Sequence, residues 1–145
     1  MGYIEMAIIQ KYYQNSSKPS IEVKLCYRGS EIKISAVVDS GSDVTMILPT
    51  FARMLRIPYE RCRGSAVEIG GIGRGHMCVP FDIECEVAGL NEEGKEERHK
   101  FPLKVYIPLQ KKNGFNLLGT RDFFNIFDVT IRNTIKEISL EKVSD

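Results

Sequence analysis

Along most of this chain apolar side chains fall on every second residue, as in Ile32, Ile34, Ala36 and Val38, or Val79, Phe81, Ile83, Cys85 and Val87. Successive side chains on a strand point to opposite faces, so this period marks strands with one buried face and excludes a mainly helical protein. A third run holds Phe101, Leu103, Val105 and Ile107, and the alternation returns in Val129 with Ile131 and Ile138 with Leu140. The expected fold is mainly β. Turn formers punctuate it at Arg28-Gly29-Ser30 and in the charged stretch from Asn91 to Glu97, which reads as a solvated hairpin loop. Helical signals are few. Pro49 followed by Phe51, Ala52, Met54 and Leu55, with Pro58 beyond, marks one short helix, and Asp122 to Phe127 marks another.

The 145 residues suit one domain, and no internal repeat is evident. Before Ser20 the pattern dissolves into Asn15-Ser16-Ser17-Lys18-Pro19, so residues 1–19 read as an N-terminal arm and 20–145 as the domain. A hydrophobic share of 43% with 27% charged residues supports a real core, and disorder is not expected. With a formal net charge of +1 and its basic residues interspersed, the chain gives no reason to expect nucleic acid or an anionic membrane as partner. Cys26, Cys62, Cys78 and Cys85 lack Cys-x-x-Cys spacing, and His76 and His99 lie at ligand spacing from neither each other nor a cysteine pair. Reduced thiols and no bound metal or cofactor are expected. No segment approaches the roughly 20 apolar residues of a membrane span, and Met6 stands where a myristoylation signal wants Ser or Thr. A soluble, cytoplasmic protein is the expectation.

One interruption of the β pattern calls for chemistry. The apolar run Ala36-Val37-Val38 drives directly into Asp39-Ser40-Gly41-Ser42-Asp43, then resumes with Val44, Met46, Ile47 and Leu48. Asp, Ser and Gly are all turn formers, so a plain turn is one reading. A calcium loop is excluded because Gly41 stands between the two acids and no bidentate Glu closes the loop. A phosphate loop is excluded by the lack of Gly-Lys-Ser/Thr.

The other reading is catalytic. Two apolar residues followed by Asp39-Ser40-Gly41-Ser42 resemble the active-site loop of aspartic proteases. Further on, Ile69-Gly70-Gly71-Ile72-Gly73 resembles the glycine-rich flap tip of the retroviral enzymes, and Asn116-Leu117-Leu118-Gly119 before Thr120-Arg121-Asp122 resembles the strand end and helix start that close their fold. In order, and spanning roughly Ser20 to Leu140, these motifs make the chain similar to one retropepsin protomer. The resemblance implies a closed, barrel-like β-fold with one or two short helices. It also implies a homodimer, because only one Asp-Ser-Gly loop is present.

As the resemblance has it, the chain is an aspartic endopeptidase, a hydrolase of peptide or protein substrates. Asp39 is the catalytic residue, Ser40, Gly41 and Ser42 the active-site scaffold, and Asp43 with Gly70, Gly71, Ile72 and Gly73 the substrate-binding set. Gly119 and Arg121 are structural, with Asp43 and Arg121 a candidate ion pair. Many relatives place Arg directly after the closing Gly, whereas here Thr120 intervenes. Val44, Met46, Ile47, Val79, Pro80 and Phe81 suit pocket walls and core equally well. The alternative function is a catalytically silent relative that binds peptides or dimerises.

Overall fold

The computed structural model describes residues 7–11, 17–70, 75–110 and 114–142. The strands and helices run β1 (Ile8–Lys11), β2 (Ser20–Tyr27), β3 (Ser30–Val38), β4 (Thr45–Met46), α1 (Pro49–Met54), β5 (Val67–Ile69), β6 (His76–Leu90), β7 (Glu96–Pro108), β8 (Asn116–Leu118), α2 (Phe123–Ile126), β9 (Phe127–Arg132) and β10 (Glu137–Lys142). A 3-10 segment, Tyr59–Ser65, links α1 to β5.

Six strands close on themselves. They lie in the order β2, β3, β8, β4, β7, β6, and β6 pairs back onto β2 through Leu25 and Cys85, which completes a barrel. The alternating residues singled out above fill it: Ile34, Ala36 and Val38 of β3 share one buried core with Phe101, Leu103 and Val105 of β7. Each of these side chains other than Ala36 contributes roughly 1.5–3 kcal/mol by leaving water, so the period of two is the main energetic reason for the barrel.

Local chemistry sets the connections. Arg28 and Gly29 have φ of 44° and 86°, the pair of left-handed residues that a two-residue hairpin needs to match strand twist. The β6–β7 loop departs from expectation in one respect. Asn91 is buried, and its Oδ1 accepts the N–H groups of Glu93 (2.9 Å) and Lys95 (3.0 Å), so it organises the loop from within while the charged residues face water. Glu96 and Glu97 already belong to β7.

Outside the barrel, the sheet continues from β6 through β1 and β10 to β9. The stretch expected as an arm thus contributes β1, which buries Ile8 between β6 and β10. Both expected helices form. Pro49 opens α1, where its missing N–H costs nothing. α2 has no side-chain cap and is seated instead by packing: the Phe123 ring lies 6.1 Å from that of Phe101 and 5.3 Å from that of Phe127. Among the described residues no helix is long and apolar enough to cross a membrane.

Candidate active site

β3 and β8 run parallel and end side by side, with Val38 beside Leu118. The chain therefore leaves both strands at one end of the barrel, as the 39–43 loop from one and the 119–122 segment from the other. Backbone hydrogen bonds clamp the two together. The Asp39 N–H donates to the Leu118 carbonyl (3.0 Å), the Thr120 N–H to the Ser42 carbonyl (2.9 Å) and the Arg121 N–H to the Asp43 carbonyl (3.0 Å). A loop tied at its first, fourth and fifth residues holds its side chains in fixed directions.

Within the loop the Ser42 N–H donates to the Asp39 carbonyl at 3.1 Å, closing a β-turn. Asp39 Oδ1 accepts the Gly41 N–H at 2.8 Å. The turn reading of this motif is thus correct as far as it goes, and turn chemistry is what aims the carboxylate. Asp39 is half-buried at the loop base, and among the described residues its Oδ2 has no protein donor. A β-carbon at Gly41 would stand 3.1 Å from Asp39 Oδ1, a tight contact that the carboxylate would have to relieve by shifting. Ser42 Oγ–H donates to the Val44 carbonyl (2.7 Å), while Ser40 and Asp43 are exposed.

The structure brings together Asp39, Ser40, Gly41, Ser42, Asp43, Gly119 and Arg121. Gly119 packs on the backbone of Val44, and its N–H donates to Thr45 Oγ1 at 3.1 Å. Arg121 reaches Asp43 through its main chain, and among the described residues no ion pair joins their side chains. The candidate ion pair, already put in doubt by the intervening Thr120, gives way to a backbone bond. Gly70 is described and exposed at the end of β5, whereas Gly71, Ile72 and Gly73 lie outside the described residues. The arms of that hairpin are in place, with Ile69 opposite His76. Val44, Ile47 and Val79 are core residues, which leaves Met46, Pro80 and Phe81 as half-buried candidates for pocket walls.

Two residues that hold this region carried no role in the sequence reading. Asn116, buried in β8, accepts the Leu48 N–H at Oδ1 (2.9 Å) and donates from Nδ2 to the Ser35 carbonyl (3.1 Å), bridging the chain on either side of the loop. Thr45 receives Gly119 as above. The available signal was a polar residue opening the apolar run Asn116-Leu117-Leu118, where only a fully satisfied side chain is tolerated. Nearby, burial pushes the Asp122 carboxyl above the usual range, against the opposing pull of the Lys104 backbone N–H and ammonium.

Four surface grooves, of about 530, 300, 430 and 100 Å³, are lined by other residues, and none of the four includes Asp39. Among the described residues, no group of three or more His, Cys, Asp or Glu side chains is placed to hold a metal ion.

The closed six-stranded barrel with its clamped Asp-Ser-Gly loop is the fold of a retropepsin-like aspartic protease. It is similar to the crystal structure of a retropepsin-like aspartic protease from Rickettsia conorii, with a TM-score of 0.61 over 99% of this chain and 97% of that one, at 15% sequence identity. At that identity the likeness is one of fold. No protein-family model and no curated protein matches the sequence.

Proposed function

We propose that this chain is an aspartic endopeptidase that works as a two-fold homodimer, each protomer supplying one Asp39. The support is the presentation of Asp39 on this fold: a half-buried carboxylate, anchored through Oδ1 by the Gly41 N–H, on a loop clamped to the 118–121 segment. One such loop per chain is half a site.

Two carboxylates within hydrogen-bonding distance do not both ionise readily, so they share a proton and titrate as a unit. The ionised Asp39 takes a proton from a bound water as the water oxygen bonds to the peptide carbonyl carbon, and the protonated partner donates to the carbonyl oxygen. Proton transfer to the amide nitrogen then lets the C–N bond break, and both carboxylates return to their starting state without a covalent intermediate. Ser40 hydroxyls bridge the two loops, Gly41 and Ser42 keep the loop in shape, and Asp43 receives substrate backbone N–H groups. The hairpin tip from Gly70 through Gly73 covers an extended peptide, which is bound as an added strand. Gly119 and Arg121 buttress the loop from behind. The free thiols of Cys26, Cys62, Cys78 and Cys85 support a reducing, cytoplasmic setting.

Subunit mixing tests the shared site. Wild-type chain co-refolded with excess Asp39→Asn chain should lose activity per wild-type chain, as mixed dimers replace wild-type ones. Unchanged activity per wild-type chain contradicts the shared site. Peptide binding without cleavage by the wild-type dimer identifies the silent module instead.

A further inference from the structure

Between Lys33 and Lys95 every basic side chain other than His76 is an arginine, and Arg53, Arg56, Arg61 and Arg63 crowd into a stretch whose one acid is Glu60. Basic residues, interspersed along the chain as a whole, concentrate here, although the net charge is only +1. α1 ends in this stretch and the 3-10 segment Tyr59–Ser65 follows. Arg53 ties the two together: its Nε lies 3.8 Å from Glu60 Oε1, and its guanidinium stands 5.9 Å from the centre of the Tyr59 ring. The local acid is thereby engaged. Arg56, Arg61 and Arg63 are exposed, and among the described residues none of the three forms an ion pair.

At Arg56 the side chain is kept against the preference of the backbone. Its φ is 61°. It closes α1 by donating its N–H to the Arg53 carbonyl (2.9 Å), while the Ile57 N–H donates to the Ala52 carbonyl (3.0 Å). Helices that end this way take glycine by default, because a β-carbon is strained in the left-handed region.

The partner follows from the chemistry of this corner. Arginine offers a planar fork that grips a carboxylate or phosphate through two parallel hydrogen bonds, which lysine cannot. Met54, between Arg53 and Arg56 in the chain, and Val67, just after the 3-10 segment, are 56% and 42% exposed. Apolar groups among the arginines match the side chains of a peptide better than the phosphate backbone of a nucleic acid. The six residues of α1 fall short of the amphipathic face that holds a helix on a membrane.

We infer that the corner formed by Arg56, Arg61 and Arg63 is an exosite for a segment of the substrate protein in which acidic and apolar residues mix. This rests on the protease reading and names a substrate class for it. The 3-10 segment runs through Ala66 into β5, an arm of the hairpin that on that reading covers the peptide. From Arg63 to Gly70 an extended chain spans at most about 23 Å, so the acidic segment lies within roughly seven residues of the covered stretch.

The test compares cleavage of one neutral peptide with the same peptide extended by alternating Glu and Leu, or by alternating Lys and Leu. The Glu extension should raise kcat/KM about tenfold through KM, a gain that a few exposed ion pairs supply and that high salt removes. Arg56→Glu/Arg61→Glu/Arg63→Glu should abolish the preference, with thermal melts confirming the fold. Arg56→Gly should weaken the preference and raise the melting temperature, since glycine relieves the left-handed position. Equal wild-type rates for the Glu and Lys extensions, or a preference that the triple variant leaves intact, overturns the inference. So does tighter binding of a single-stranded RNA oligonucleotide or of anionic phospholipid vesicles than of the Glu-extended peptide. Cleavage of all three peptides without preference removes the exosite and leaves the protease. If nothing is cleaved, yet fluorescence anisotropy shows the labelled Glu-extended peptide binding to wild type and not to the triple variant, the acidic-segment site stands and the protease reading falls.

Discussion

A β-carbon on Gly119 would stand 2.3 Å from the carbonyl oxygen of Val44, so the strand end behind the Asp39 loop and the chain leaving that loop cross in backbone contact. Neither side of the contact is a flexible side chain that could step away. Gly119→Ala should therefore destabilise the chain by about 3 kcal/mol, the upper end of overpacking costs, and should abolish cleavage in whatever fraction folds. Urea denaturation followed by circular dichroism measures the first effect. A midpoint unchanged from wild type would mean the crossing is looser than described.

Asn116 makes a second prediction. Replacing it with Leu keeps the volume but leaves the Leu48 N–H and the Ser35 carbonyl without their partner. Each buried, unsatisfied group costs about 1–3 kcal/mol, so Asn116→Leu should lose about 2–4 kcal/mol in the same denaturation experiment. Asn116→Asp retains the acceptor but loses the donor. Its deficit should shrink on acidification, as the carboxyl regains a proton to donate.

Gly41 separates chemistry from folding. Its φ lies outside the left-handed region, so Ala meets no backbone strain there, and the crowding falls on Asp39 Oδ1 alone. Gly41→Ala should melt near the wild-type temperature yet cleave about tenfold to a hundredfold more slowly, because small displacements of a reacting group are costly. Retained cleavage would show that the carboxylate position tolerates more freedom than the loop suggests.

Much of this was legible in the sequence, and the physical divide is between local and non-local information. Ile32 to Val38 and Phe101 to Ile107 announce their strands because burial of alternate residues is written into the local period. Asp39-Ser40-Gly41 announces its turn because each residue's conformational preference is local. Nothing local says that β8 runs parallel to β3 and sits between β3 and β4, since that pairing joins residues far apart in the chain. For the same reason Asn116 carried no role, and the Asp43–Arg121 couple, whose ion pair Thr120 put in doubt, is linked through the backbone instead. Asn91 was misjudged because its charged neighbours mask a side chain turned inward.

Asp122 supplies a pH signature. Burial raises its folded pKa above the ordinary 3.8, so the folded state holds this proton more tightly than the unfolded one. The resulting contribution to stability is fully present below the ordinary value and declines as pH rises through the raised one. Asp122→Asn, which keeps an acceptor for the Lys104 N–H, removes that decline. Its melting temperature relative to wild type should therefore be higher at pH 7 than at pH 3, with the difference developing over the interval between the two values. A difference independent of pH would remove Asp122 from the account.

The central claim is that Asp39 is one half of a catalytic pair. Its most direct test is cleavage of a diverse peptide mixture from about pH 4 to 7, a range that spans the titrations of a coupled carboxylate pair, with wild type and Asp39→Asn compared by mass spectrometry alongside solution mass. The account predicts internal cleavage by a wild-type dimer and its loss in an Asp39→Asn dimer of the same mass and melting temperature. Cleavage that persists in Asp39→Asn, or a confirmed wild-type dimer that cleaves nothing across the range, contradicts it.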